Sequence, residues 1–474
     1  MSESLRKSII FLTLSLLTVS AFFIRLENFK NSQARSIDEV VFYRMGYQMT
    51  KNPWDYNTIP YGMELASRGR ELPAYFFQTL YQHPPLFTIL LSLSMRMFGP
   101  SDIGAALVPL FFGVLLIPLT YFLGRLVSDW RIGLVSAFLL WMDPINIICS
   151  QKIWMSTPVA FFHLLSSSCF IYGLIKEKPH YFIFSGIASG LGTVTVYTGV
   201  LPVITHAIFA VCYKRELFRV RPFIIGLFIP VLFLIPWMIW NAQVYGLNDI
   251  IGTFFKIFPH ALTVINSVKP YGLPIIFGLL FYFVFRKRLK EILGAQDKIT
   301  PIFVEKLQRL LPIALFGLFI IAISRALINS FHLDYMPGTS WGNFGFRDGY
   351  RGLFYFAQLL KFSLIYLLSF AALFLYGHSG NKGALFIRLS AAVTLLFFVI
   401  WGNYQSRYIL PALPFLIVLA AIVLYDLMDH LNRFQHFIPR VALKAFLILF
   451  LSFSVCRTIY INLIISFPHQ FCYF

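Results

Sequence analysis

The sequence predicts an all-α polytopic membrane protein with about thirteen transmembrane helices. Three observations predict it. Of the 474 residues, 58% are hydrophobic and only 12% charged, more apolar surface than a soluble core can use and what a bilayer requires. The apolar residues fall in runs near the ~20 residues that cross a hydrocarbon layer. The 39 basic residues, which set a net charge of +19, are dispersed between those runs. A nucleic-acid partner would need them gathered on a soluble face, so none is expected, and loop charge of this kind sets orientation in a membrane instead.

The first run, 8–26, follows Arg6 and Lys7 and lacks a small-x-small cleavage site. It therefore reads as a retained anchor rather than a signal peptide. Residues 27–103 form the longest stretch not dominated by apolar side chains, a first loop holding short helices. Core spans occupy 104–241, read at 104–124, 132–149, 157–175, 181–198, 199–213 and 222–241, with Gly199 and Pro202 interrupting the 181–213 pair. Peripheral and C-terminal spans fill 242–474, read at 271–285, 310–329, 358–377, 384–401, 408–426 and 444–465, with loops at 242–270 and 330–357. No repeat and no low-complexity linker divides the chain, so 1–474 reads as one integral membrane domain without a separate soluble one. Cys149, Cys169, Cys212, Cys456 and Cys472 form no CxxC pair, which indicates neither a zinc knuckle nor a disulfide framework.

The run Pro84–Phe98 decides the topology. It is too short for a comfortable span and carries Arg96, a length more typical of interfacial segments. If it does not cross, Arg6, Lys7, Arg125, Arg131, Lys176, Lys214, Arg286, Lys306, Arg388 and Lys444 all fall on the cytoplasmic side. If it crosses, the basic loops at 214–221 and 286–309 move outside while Arg6 and Lys7 stay in. The first version is consistent, so 84–98 reads as a juxtamembrane helix. That parity places Asp38-Glu39, His83, Lys152, the loops 242–270 and 330–357, and Arg407 on one external face.

Each motif on this face has a plain reading and a chemical one. Asp38-Glu39 opens an amphipathic pattern (Val40, Val41, Tyr43, Met45-Gly46-Tyr47), and acids are common at helix starts. A carboxylate there could also take the proton from an attacking acceptor. In His83-Pro84-Pro85-Leu86 the prolines signal a helix start, and His83 would sit where helix N–H groups favour an anion. Arg407, in Ser406-Arg407-Tyr408-Ile409-Leu410-Pro411-Ala412-Leu413-Pro414, would snorkel to the interface or grip a phosphate through its planar fork. The candidate substrate contacts are Tyr43 and Glu64 in the first loop, Lys256 and His260 in the next, and Trp341 and Arg347 in 330–357. Tyr408 joins them beside Arg407. Aromatic and polar groups together suit a sugar surface, as they also suit an interfacial belt. A divalent metal could be held by carboxylates and His here, though no ligand spacing demands one.

An early Asp-Glu, then His-Pro-Pro-Leu opening an apolar helix, then Arg-Tyr-x-x-Pro-x-x-Pro late in the chain resembles the protein O-mannosyltransferase and lipid A aminoarabinose transferase superfamily. These are GT-C-type membrane glycosyltransferases. The resemblance covers the motif order over the first ~160 residues and again around 403–416; elsewhere it is one of hydropathy. It implies a GT-C-like fold and transfer of a sugar from a polyprenyl-phosphate donor to an acceptor outside the cytoplasm, whether protein, lipid or polysaccharide. It also implies Asp38 as general base with Glu39 its neighbour, and His83, Arg407 and Lys152 near the lipid phosphate. The expected location is a bacterial cytoplasmic membrane, with the N-terminus cytoplasmic and the site outside. Ala106 stands where many relatives carry Arg, Thr157 where many carry Asp, and Lys152 where Arg is usual.

Two alternatives belong to other classes. A transporter or flippase of lipid-linked sugars would carry charges inside its spans and broken helices in paired halves. Arg325 and Arg457 read as nearly the only strong charges within spans. A catalytically inactive glycan-binding relative is the other, suggested by Ala106 and Thr157.

Overall fold

A computed structural model describes residues 2–31, 36–71, 74–77, 83–246, 320–321, 353–375, 382–401, 405–433 and 437–466. Among these the chain is helical, with no β-strand. It begins with α1 (Glu3–Asn31), followed by the short first-loop helices α2 (Ile37–Lys51), α3 (Ile59–Ser67) and α4 (Leu86–Phe98). Then come α5 (Asp102–Val127), α6 (Trp130–Trp141), α7 (Pro144–Ser150), α8 (Ser156–Ile175), α9 (Tyr181–Thr193), α10 (Leu201–Tyr213) and α11 (Arg221–Tyr245). The C-terminal part holds α12 (Phe354–Phe362), α13 (Tyr366–Leu375), α14 (Lys382–Trp401), α15 (Leu413–Arg433) and α16 (Phe437–Ser466).

Local chemistry starts these helices where the sequence offers it. Ser101 caps α5 by accepting from the Gly104 amide, and Asp129 caps α6 by accepting from the Arg131 and Ile132 amides. The side chain of Glu39 reaches back to the Ser36 amide at 2.9 Å, half of a capping box at the head of α2. Close approach is set by glycine where α9 meets α11: a Cβ on Gly186 would lie 2.3 Å from the Gly226 carbonyl oxygen.

Seven of the described helices are long and apolar enough to cross a membrane, or eight if the bent pair α6–α7 is one span. The protein is an integral membrane protein. Helix α15 runs through the centre, with Leu413, Phe415, Leu416, Val418 and Ala420 all fully buried, as a helix apolar on every face must be. Helices α1, α11 and α16 lie outside and turn Phe11, Leu16, Phe228, Leu232, Phe446 and Phe453 outward, an apolar surface that suits lipid.

The expected thirteen spans are not thirteen equal helices. The 132–149 span breaks at Asp143-Pro144, where α6 and α7 meet at 59°. The 181–213 pair becomes two 13-residue helices joined by a 3₁₀ turn, Tyr197–Val200. The 358–377 span becomes α12 and α13, separated at Ser363, Leu364 and Ile365. Segments 271–285 and 310–329, apart from residues 320–321, lie outside the described residues. Within the first loop, α4 buries Phe87, Leu91 and Met95 and exposes Ile89, Leu93 and Met97. Its 13 residues span about 20 Å at ~1.5 Å each, short of a ~30 Å hydrocarbon core.

Charges within the spans are more numerous than the sequence reading allowed. Arg25, on α1, is 1% exposed, and Asp143 is 3% exposed at the α6–α7 break. Arg25 sits at the edge of its apolar run and Asp143 inside one, and a composition-based reading absorbs both into the hydrophobic average.

Candidate active site

Four pieces of chain meet at the head of α2: its first turn, residues 151–155 between α7 and α8, the 3₁₀ turn Ser406–Ala412 before α15, and His83. Asp38 and Glu39 are neighbours in sequence but face different surroundings. The Asp38 side chain is 41% exposed and receives a hydrogen bond from Arg407 Nη2 at 2.5 Å. The Glu39 side chain is fully buried. Its Oε1 accepts from the Ser36 amide at 2.9 Å and the Ser36 hydroxyl at 3.1 Å, and its Oε2 from the Ile153 amide at 3.2 Å. Lys152 Nζ adds an ion pair to Oε1 at 3.6 Å. Charge-assisted bonds of this kind are about twice as strong as neutral ones, and burial raises the stake of each.

Trp154 locks the two halves together. Its indole N–H donates to Ser36 Oγ at 3.1 Å, and its ring lies 4.7 Å from the Arg407 guanidinium carbon. The Tyr408 ring lies 5.3 Å from the same carbon. Arg407 is thus held between two aromatic rings with one nitrogen on Asp38, a planar group fixed in orientation before any ligand arrives. On its other side Tyr408 stacks on Phe398 at 5.9 Å.

His83 does not begin α4 directly. The helix starts at Leu86, whose amide donates to the Val194 carbonyl at 3.0 Å, so that N–H is not free for an anion. His83 is held by Tyr56, whose hydroxyl donates to its carbonyl at 2.9 Å, and by the Phe42 ring at 5.7 Å. Burial of the imidazole pulls its pKa down to about 4; Asp38 raises it and Arg407 lowers it. The ring is therefore neutral at pH 7 and near enough to both charges to feel them.

Several buried polar atoms here have no hydrogen-bond partner among the described residues: His83 Nδ1, Gln151 Nε2, Thr157 Oγ1, Ser406 Oγ and Arg407 Nε. Orphaned donors and acceptors are rare in native interiors, and a run of them beside a fixed guanidinium marks a place for a polar ligand. Glu39 is committed to Ser36, Lys152 and Ile153, and Asp38 bonds Arg407 through one oxygen. Among the described residues no group of three or more His, Cys, Asp or Glu could hold a metal ion.

Other expected contacts do not join this cluster. Tyr43 donates its hydroxyl to the Pro100 carbonyl at 3.2 Å and stacks on Tyr47. Glu64 pairs with Arg68 at 2.8 Å on the exposed side of α3. Lys256, His260, Trp341 and Arg347 lie outside the described residues. Ala106 is buried against α4 among Phe87, Leu91 and Met95. Ser36, Trp154 and Tyr56 were missed as site residues. Ser36 had a signal, since Ser36-x-x-Glu39 has the capping-box spacing; Trp154 and Tyr56 had none beyond aromaticity.

Comparison with known proteins bears on the fold. The model of the dolichyl-phosphate-mannose-protein mannosyltransferase family matches residues 82–240, about a third of the chain. No curated protein sequence matches. Among solved structures, ArnT from Cupriavidus metallidurans in the apo state is similar at TM-score 0.53 and 13% identity, covering 98% of this chain and 76% of that one. The same ArnT bound to undecaprenyl phosphate is similar at TM-score 0.51 and 15% identity, over 87% of this chain and 60% of that one. The archaeal oligosaccharyltransferase AglB from Archaeoglobus fulgidus, in complex with an inhibitory peptide and a dolichol-phosphate, is similar at TM-score 0.53 and 17% identity, over 98% of this chain and 57% of that one. The chain thus spans 57% of AglB and 60% of ArnT with its bound lipid, less than two thirds of either. The likeness is one of fold: the architecture is that of GT-C-type membrane glycosyltransferases.

Proposed function

We propose that this GT-C-fold chain is a glycosyltransferase that moves a sugar from a polyprenyl-phosphate carrier to an acceptor on the extracytoplasmic face of a membrane. One observation carries the reading: a half-exposed carboxylate, Asp38, bonded to a guanidinium that aromatic rings hold in place and orphaned buried donors surround. A phosphate monoester or diester suits Arg407, whose Nε has no partner among the described residues while Nη2 holds Asp38. The lipid phosphates held by ArnT and AglB support that choice of ligand.

The acceptor hydroxyl or amine attacks the anomeric carbon and gives its proton to Asp38. The bond from that carbon to the phosphate oxygen breaks, and the pair leaves with polyprenyl phosphate. Arg407 stabilises the charge that grows on the leaving oxygen. Neutral His83 and the Lys152 ammonium flank the phosphate. Glu39, fully buried and committed to its partners, holds the cluster and does not exchange protons with substrate. The distribution of basic loops supports a site outside and an N-terminus in the cytoplasm.

The test is mass analysis of external glycans and glycolipids with and without the gene, together with release of polyprenyl phosphate by the purified protein. Loss of one glycan class and acceptor-dependent release support the reading. The broken span at Asp143 and the buried Arg25 are features that a transporter of lipid-linked sugars would also show. Sealed vesicles separate the two: movement of the intact donor lipid across the bilayer, with no sugar transferred, would establish the transporter and remove the enzyme.

A further inference from the structure

Asp143 lies at the α6–α7 bend, and the chemistry above does not use it. Its carboxylate accepts hydrogen bonds from the Asn146 amide at 3.0 Å and from the Tyr366 hydroxyl of α13 at 2.6 Å. Other helices close on the same bend. Arg25 of α1 donates to the Trp141 carbonyl at 3.3 Å, the Trp141 indole donates to Ser20 Oγ at 3.0 Å, and Asn462 of α16 donates to the Met142 carbonyl at 2.8 Å. A bend gripped by α1, α13 and α16 is fixed in direction, not merely tolerated.

Helix α7 carries that direction to the site. Its seven residues, about 10 Å long at ~1.5 Å each, are buried throughout. It lies hard against α5: a Cβ on Gly113 would meet Ser150 Oγ at 2.0 Å, so only glycine admits the contact. Past its end come Lys152 on Glu39, the Ile153 amide on Glu39, and Trp154 on Ser36 and Arg407. Asp143 caps one end of α7 and Lys152 and Trp154 follow just past the other, so one short rod joins the two centres. Turning a rod at its gripped end displaces what it carries at the other.

We propose that Asp143, anchored by Tyr366, is a positioning residue that sets Lys152 and Trp154 against Glu39 and Arg407 by fixing the α6–α7 bend. Its consequence for turnover rests on the proposed transfer reaction; the placement of Trp154 does not. The experiment uses the full chain in nanodiscs, labelled with 5-fluorotryptophan. The Trp154 resonance is identified by its loss in Trp154→Phe, and Trp237, on α11 in the cluster around Val41, Met45 and Tyr56, is the control. Tyr366→Phe removes one hydroxyl and no bulk. It should shift or split the Trp154 resonance, leave Trp237 in place and lower turnover by about 10-fold or more, since small misplacements in a site are expensive in rate. Asp143→Ala should do the same, and the double variant should move Trp154 no further than Asp143→Ala alone, because Tyr366→Phe removes only a bond that Asp143→Ala already removes. A Trp154 resonance unmoved in Tyr366→Phe overturns the proposal, as does a shift of Trp154 and Trp237 together, the sign of general loosening. Where Asp143→Ala cannot be recovered folded, Tyr366→Phe decides. A wild-type protein that transfers no sugar defeats the proposed reaction, while the Trp154 resonance still decides the positioning role.

Discussion

Glu39→Gln separates the two carboxylates at the head of α2. The substitution keeps shape and one accepting oxygen, but replaces the other oxygen with an amide that cannot accept. Glu39 now receives three hydrogen bonds, from the Ser36 amide, the Ser36 hydroxyl and the Ile153 amide, and one ion pair at 3.6 Å, all inside a fully buried pocket. Breaking a buried ion pair from one side costs up to about 3–5 kcal/mol, because the partner charge loses its counter-charge. Lys152 is only 12% exposed, so water cannot fully relieve it. The unpaired Ile153 amide, at about 1–3 kcal/mol on its own, overlaps with that figure. At roughly 1 °C per kcal/mol for a chain of this length, melting of the purified protein in detergent should fall by about 3–5 °C. Turnover should fall with it, because Trp154 and Arg407 lose their seat. A variant that melts within about 1 °C of wild type yet has lost turnover would refute the reasoning: it would make Glu39 a chemical group rather than a clasp.

Three further outcomes follow from the same site. Arg407→Lys keeps a charge near Asp38 but loses the planar fork and the stacking on Trp154 and Tyr408, so donor-lipid binding should weaken by about 1–3 kcal/mol, roughly 5- to 150-fold, with near-normal melting; unchanged affinity in a lipid-binding titration would return Arg407 to an interfacial anchor. His83, with its pKa pulled down to about 4, stays neutral when folded while the unfolded chain takes up a proton near pH 6.5. Its contribution to stability is therefore full above pH 6.5 and declines as pH falls toward 4, so wild-type melting should drop relative to His83→Gln across that window and run parallel to it above; a constant difference would contradict the buried neutral ring. Cysteine labelling should place Ser406 and Gln82 on the external side and Gln296 on the cytoplasmic side, and labelling of 82 and 296 from one side would break the topology.

Much of this was legible in the sequence, because apolar length and loop charge act locally. The membrane class, the first-loop helices and the candidacy of Asp38, His83 and Arg407 all came from short windows. What joins them did not. Asp38 and Arg407 are 369 residues apart, and nothing in either window names the other as partner. Glu39 read as a second acid at a helix start; its real surroundings depend on the Ile153 amide, a backbone group that leaves no mark in a sequence. The α6–α7 break was visible as Asp143-Pro144 inside an apolar run, yet hydropathy averages over such a pair. The same averaging turned the segment around Ser363 into a continuous span. Arg25 escaped because snorkelling is the usual fate of an arginine at a helix end, whereas here its guanidinium donates to the Ala21 and Trp141 carbonyls.

The account stands most directly on the carboxylate of Asp38. With purified protein and a polyprenyl-phosphate sugar, single-turnover transfer by Asp38→Asn should be slower than wild type by ~10²–10⁴-fold, the usual loss for a general base. Binding of the donor lipid and melting should remain close to wild type, since the side chain is 41% exposed and its shape is kept. Near-normal transfer by Asp38→Asn would contradict the account.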